Sequence, residues 1–549
     1  MAPGNAGTRF LTKFLRLFHT ARYLTTRQLW FQLRRRLLRR RIVTEVKVAT
    51  SAAPLRLAPT PEKPTSHLGG GRFRFLNCEV DLGLPIDWRA GRCPLLWQYN
   101  LHYFDFLQQP SLSVDSGLGL MREWIERHLP TKRSVGWKPY PTSIRVVNWL
   151  KFISRGSNCP SDVAQSLSLQ GTNLERQIEY HILGNHLFAN GKALWFLGVT
   201  LERPRWIEIG KDIVLSQLPE QFLPDGGHFE LSPMYHCLAV EDLLDLINLS
   251  RSQNDTDSNL LLRETAERAL GWMEGLIDAS SRFPLLNDAA YGIAPAYRQL
   301  LEYAERCTAK PLSHSFSTRM DGGWNSRNFS GYRVIRNDDF RIIFDTALLG
   351  PDYLPGHAHC DMLSILLEFR GESVLADTGV YEYAETADRT YSRSTAAHNT
   401  VSLDGLEQAD IWKSFRVGKR GHPSEVRETS CETSCEHDGF SMQRRGLRHR
   451  RTLRLLANGI EVFDEVSGPA AHRFQAYFHF EPGLSLQEIR PNEFLATNGL
   501  VCSVSGGAAT RTTTAYYPEF GLIQARECLV VSGTFKFNHT FRFRCTSSS

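Results

Sequence analysis

Three short stretches gather the residues able to move protons or hold charge. The densest runs from Pro355 to Asn399: Pro355-Gly356-His357-Ala358-His359-Cys360-Asp361, then Leu375-Ala376-Asp377-Thr378-Gly379, then Arg393-Ser394-Thr395-Ala396-Ala397-His398-Asn399. On an extended strand His357 and His359 share a face, because side chains alternate across a strand. Joined by Asp377 and His398, they supply the donors of a zinc site with one open position. The same residues also suit a metal-free polar network between sheets. In the second stretch, Gly184-Asn185-His186 interrupts a helical pattern and sets an amide beside an imidazole, both able to donate hydrogen bonds to a carboxylate. In the third, Asp225 to His236, Tyr235 falls in the first turn of a helix that starts at Ser232-Pro233, where the positive dipole end eases deprotonation.

Two aromatic islands stand apart from these, Trp97 to Phe104 and Gly136-Trp137-Lys138-Pro139-Tyr140-Pro141. Their rings suit either a core or the apolar faces of sugars. Trp97 and Tyr140, together with Arg393, are the expected substrate contacts.

The elements that must carry these residues divide the chain in two. From about 95 to 315 apolar residues recur at three- and four-residue spacing, as in Pro204–Leu223, the run after Ser232-Pro233, and Leu260–Ile277. This pattern predicts paired helices in an open ring or stack. From about 320 to 549 the period becomes two, over 341–347, 362–369, 398–403, 474–480 and, most clearly, Phe535-Lys536-Phe537 and Phe541-Arg542-Phe543. Helices first and strands afterwards make a multidomain α+β protein whose second half is an antiparallel β-sandwich. Residues 42–94, rich in Pro, Ala and Thr and carrying Gly69-Gly70-Gly71, are expected to form a linker or surface strap.

Composition excludes several classes. With 549 residues, 42% hydrophobic and 22% charged, the chain is globular rather than disordered. The net charge of +6 is a property of one segment, since residues 1–41 hold eleven Lys or Arg and no acid, leaving the remainder net acidic. A nucleic-acid partner is therefore not expected. The arm alternates apolar and basic residues as an amphipathic helix would, which suits peripheral contact with an anionic membrane or a helix packed on the body. Eleven cysteines without a CxxC pair read as free thiols.

At these residues the chain resembles the heparinase II/III family of bacterial polysaccharide lyases. The motifs are PGHAHCD, LADTG and RSTAAHNTV between Pro355 and Val401, supported by GNHLFANGKAL from Gly184 and DGGHFELSPMYH from Asp225. The islands YNLHYF and WKPYP resemble members found in surface-polysaccharide clusters. The resemblance implies an (α/α) helical toroid followed by the β-sandwich, and cleavage of a uronate-containing polysaccharide by β-elimination without an organic cofactor. It implies that Asn185 and His186 neutralise the uronate carboxylate, that Tyr235 serves as acid and sometimes base, and that His357 acts as base or stabiliser. It further implies a structural zinc on His359, Asp377 and His398, and a cell-envelope location. The cytoplasm or inner membrane face is the alternative location, because no secretory signal is visible. Two other functions fit the same residues: a glycan-binding or assembly factor without turnover, and a zinc-dependent hydrolase. Neither the particular glycan nor the oligomeric state is legible.

Overall fold

The computed structural model describes residues 6–37, 42–46, 52–131, 134–156, 158–308, 325–326 and 329–547. Two N-terminal helices, α1 (Ala6–Ala21) and α2 (Thr26–Leu37), precede a small antiparallel sheet of β1 (His67–Gly69), β2 (Arg72–Phe75) and β3 (Cys78–Asp81). The expected strap thus contains a hairpin, because Arg72-Phe73-Arg74-Phe75 alternates charged and apolar residues and buries both phenylalanines.

Among the described residues nine α-helices follow before the sheets: α3 (Leu95–Tyr103), α4 (Val114–Arg127), α5 (Pro139–Ile153), α6 (Ser161–Glu175), α7 (Gly184–Thr200), α8 (Pro204–Gln221), α9 (Pro233–Ser252), α10 (Thr256–Glu274) and α11 (Tyr297–Cys307). The starts of α8 and α9 follow the residues read from sequence. Pro204 and Pro233 occupy first turns, and the Asp255 carboxylate caps α10 by accepting from Ser258 N–H. Antiparallel neighbours α7 and α8, and α9 and α10, pack against each other around a core that includes Trp149, Trp195, Leu244 and Trp272, all buried. The expected boundary at 315–320 lies outside the described residues.

The second half is antiparallel throughout its paired strands. A ten-stranded sheet is built on two long strands, Gly459–His479 and Gln524–Ser547, and a five-stranded sheet includes Phe340–Asp345 and Ile365–Phe369. One apolar core joins them, with Phe344 and Leu367 from the smaller sheet and Phe478, Leu529 and Phe543 from the larger. Alternation holds at Phe541 and Phe543 but breaks at Phe537, which is exposed. A register shift opposite Gly468–Ala471 and a left-handed φ of 72° at Phe537 turn that ring outward.

Candidate active site

The helical and sheet halves face each other across a cleft of about 1720 Å³. Its catalytic candidates sit where chain direction changes. Leu183 and Gly184 have left-handed φ values of 71° and 56°, so the chain turns sharply into α7 and presents Asn185 and His186 at the helix N-terminus. Glycine is required there: a Cβ would lie 2.4 Å from Leu354 Cδ2 and 3.0 Å from Glu230 Oε1. Ser232 caps α9 by accepting from Tyr235 N–H at 3.3 Å, and its own hydroxyl donates to the Asp288 carbonyl at 2.7 Å. One side chain thereby fixes both the tyrosine and the loop behind it.

Tyr235 and His357 meet, with ring centroids 4.0 Å apart and planes 31° from parallel. Across the cleft, the phenol oxygens of Tyr235 and Tyr383 are 3.2 Å apart. Burial, then Tyr383 and Asp288, push the Tyr235 phenol well above its ordinary pKa, so it holds its proton at rest. Rings this close leave no room for a sugar between them.

Asp288 organises the imidazoles. It accepts from His357 Nδ1 and His359 Nε2, each at 2.9 Å, and pairs with both terminal nitrogens of Arg389. Although burial opposes ionisation, Arg389 and the two histidines hold the carboxyl far below its usual range. An ionised Asp288 fixes the tautomer of His357, with the proton on Nδ1 and the lone pair on Nε2. His357 Nε2 lies 3.7 Å from Glu230 Oε2. Burial pushes the Glu230 carboxyl upward against the pull of His357 and His186.

His186 Nδ1 lies 3.2 Å from Glu179 Oε1. Burial pulls this imidazole down, yet Glu179 and Glu230 outweigh it and hold its pKa above the ordinary value, favouring the cation. Tyr140 stacks on His186 at 4.2 Å, Tyr103 meets Tyr140 edge-on at 5.9 Å, and Tyr99 follows at 6.3 Å, forming an aromatic track along the helical wall. On the sheet wall, Tyr383 lies 6.1 Å from His357 and 5.0 Å from Phe520.

Two expectations need correction. Trp97 is 1% exposed and donates its indole N–H to the Cys78 carbonyl, so it supports the wall from behind. Arg393 is equally buried and donates to the carbonyls of Ala358, Lys413 and Ser414; it braces the His357 loop rather than meeting substrate. For zinc, His398 Nδ1 is 2.9 Å from Asp377, which makes Asp377 a partner of the ring, and among the described residues no group of three or more His, Cys, Asp or Glu side chains is poised to hold a metal. Two features still fit an ion: His359 Nδ1 and His398 Nε2 are buried without a hydrogen-bond partner, on rings 5.3 Å apart. His359 is pulled down to about 3, by burial first, and so is neutral.

Sequence reasoning missed Glu179, Glu230, Asp288, Tyr383 and Arg389. Glu230 lay inside the Asp225–His236 stretch and Arg389 four residues before Arg393, but no local spacing marked their roles.

Residues 98–306 match the profile of the heparinase II/III N-terminus, and residues 324–543 match that of the heparinase II/III-like C-terminal region. A heparin-sulfate lyase from Pedobacter heparinus is 25% identical over 383 residues, 62% of this chain and 56% of that protein. A heparin-sulfate lyase from Bacteroides stercoris is 25% identical over 257 residues, 42% of this chain and 37% of that protein. The chain thus spans little more than half of the first relative and little over a third of the second. The solved structure of a heparinase III superposes with a TM-score of 0.64 at 16% identity, covering 84% of this chain and 80% of that one, a likeness of fold.

Proposed function

The chain belongs to the heparinase II/III family, and from that premise we propose that it is a polysaccharide lyase cleaving an acidic glycan by β-elimination. In this reading the helices form the family's toroid and the two sheets its sandwich. The observation that carries the reading is the contact of Tyr235 with an Asp288-anchored His357, in one cleft with a His186 whose pKa Glu179 and Glu230 hold above its ordinary value.

Asn185, the His186 cation and the N-terminus of α7 neutralise the uronate carboxylate, which makes the proton on C5 acidic. His357 Nε2 takes that proton, its electron pair forms the C4–C5 double bond, and the C4–O bond breaks. Tyr235 gives its proton to the departing oxygen. The imidazolium then returns a proton to the phenolate stacked on it, restoring both groups. Because acid and base stand on one side, the elimination is syn. A 4-linked glucuronate, whose H5 and O4 lie on the same face, satisfies this, whereas its C5 epimer iduronate does not.

The test is a panel of heparan sulfate, alginate and polyglucuronate scored for ultraviolet absorbance of unsaturated uronate ends. Their appearance on a glucuronate-rich polymer supports the proposal, and their absence across the panel overturns it.

Zinc, if held, belongs on His359 and His398 with Asp377 behind, where it would cross-link the loops that carry His357 and take no part in proton transfer. The outer faces of α1 and α2 carry exposed Phe14, Leu17, Phe18, Trp30, Leu33 and Leu37 among arginines. We assign this stripe to contact with an anionic membrane surface; among the described residues no helix is long and apolar enough to cross one.

A further inference from the structure

The N-terminal helices lie before both family matches, yet they reach the active site. Thr20, Leu24, Gln28, Gln32, Arg35 and Arg36, close to one residue per turn, face the cleft. Helix α1 packs on the sheet half, where Thr20 donates to the Val417 carbonyl at 3.2 Å and Arg16 pairs with Asp410 at 2.9 Å. Helix α2 packs on the helical half, where Phe31 lies 4.7 Å from Tyr180 and Arg35 reaches His181 Nε2 at 2.6 Å. At their junction Gln28, only 2% exposed, ties the halves together. Its amide donates to the Ile182 carbonyl at 3.3 Å and to the Tyr353 carbonyl at 3.2 Å, while its oxygen accepts from Thr25 N–H at 2.9 Å. Ile182 is three residues before Asn185, and Tyr353 four residues before His357.

The aromatic tracks give this bridge a direction. The two carbonyls that Gln28 holds lie on the segments leading to Asn185 and His357, and rings line both walls beyond those residues: Tyr140, Tyr103 and Tyr99 on one, Tyr383 and Phe520 on the other. Asn77 of the strap also meets the sheet wall, donating to Glu519 at 2.9 Å and to the Phe520 carbonyl at 3.0 Å. At Gln28 the trough is crossed by a buried side chain, next to the segments that carry its reacting groups. Its volume of about 1720 Å³ exceeds the roughly 300–1,000 Å³ of small-molecule sites and suits an oligosaccharide.

We propose that α2 closes the trough just beyond the scissile bond, so that the enzyme acts from a chain end and releases short products, with Arg35 and Arg36 facing the acidic terminal sugar. This rests on the lyase reading. A polymer whose chain must continue past His186 and His357 meets Gln28 and the two carbonyls it holds; a terminal residue does not.

The experiment follows viscosity and product size together during digestion of heparan sulfate and polyglucuronate by the full chain. Short unsaturated oligosaccharides dominating from the first products, with viscosity falling only in step with their release, is the expected result. Unsaturated ends accompanied by an early collapse of viscosity and a ladder of long fragments would overturn the closed end while leaving the lyase reading intact. No unsaturated ends on either polymer would overturn both. A Gln28→Ala variant, opening the crosspiece, is expected to lengthen the first products; products of wild-type length from an active Gln28→Ala protein would overturn the assignment of the barrier to α2.

Discussion

Tyr235 keeps its proton until the leaving oxygen claims it, because burial, Tyr383 and Asp288 all oppose the phenolate. Removing the hydroxyl in Tyr235→Phe preserves the ring against His357 and should lower kcat by about 10²–10⁴-fold with little change in thermal stability; a near-wild-type rate would contradict its role as acid. Charge on His186 sets the alkaline limb. Its raised pKa means the cation persists above the pH at which a free imidazole discharges, and neutralisation of the uronate is lost as pH rises through the folded value. Glu179→Gln removes the main charge holding it up, so the alkaline limb of kcat/KM should move to lower pH, and an unmoved limb would exclude His186 from that duty. Asn185, His186, Tyr235 and His357 line one cleft, and it was the family's motifs at these positions, more than their local spacing, that singled them out in the sequence. Asp288 and Tyr383 were not legible, because they act on His357 and Tyr235 across 69 and 148 residues of sequence, and no local spacing encodes such a meeting.

Helix starts do much of the positioning. The two left-handed residues ahead of α7 aim Asn185 and His186, and Gly184→Ala would press a methyl group on Leu354 and Glu230 at a backbone angle unfavourable to alanine. Loss of about 1–3 kcal/mol of stability is expected from the strain alone, read as a lower denaturation midpoint; an unchanged midpoint would mean the turn relaxes freely. Apolar spacing made α8, α9 and α10 readable, with Ser232-Pro233 marking the start of α9, but the Asp255 cap that starts α10 at Thr256 was not read. Strand register was less readable, since the bulge opposite Gly468–Ala471 turns Phe537 out of a pattern that had placed it beside Phe535. If zinc cross-links the loops of His359 and His398, adding it to metal-stripped protein should raise the melting temperature and leave initial turnover little changed. A melting curve indifferent to zinc would remove the ion from these loops.

At the scale of the whole molecule, the core of the helices continues into the sheet half through Tyr332, Val334 and Ile343, a second core lies between the sheets, and the N-terminal helices join the halves along their shared cleft. The order of helices before strands was visible in the change of period, and packing of the arm on the body was one of its two readings; which face docks was not legible, because Thr20, Gln28 and Arg35 bond to main-chain and ring acceptors that composition does not reveal. The arm's outer face is the apolar one, with Trp30 61% and Leu37 71% exposed. Replacing Trp30, Leu33 and Leu37 by glutamate should release the protein from anionic vesicles while preserving its activity on soluble glycan, and undiminished partitioning would rule out the membrane contact. The chemistry in the cleft is tested most directly by digesting a glucuronate-rich polymer in ¹⁸O-labelled water and weighing the new chain ends. Elimination yields unsaturated non-reducing ends and new reducing ends that carry no heavy isotope as they first appear; saturated non-reducing ends, each matched by one ¹⁸O at a new reducing-end C1, would show that water, not Tyr235 and His357 acting on the sugar itself, breaks the bond.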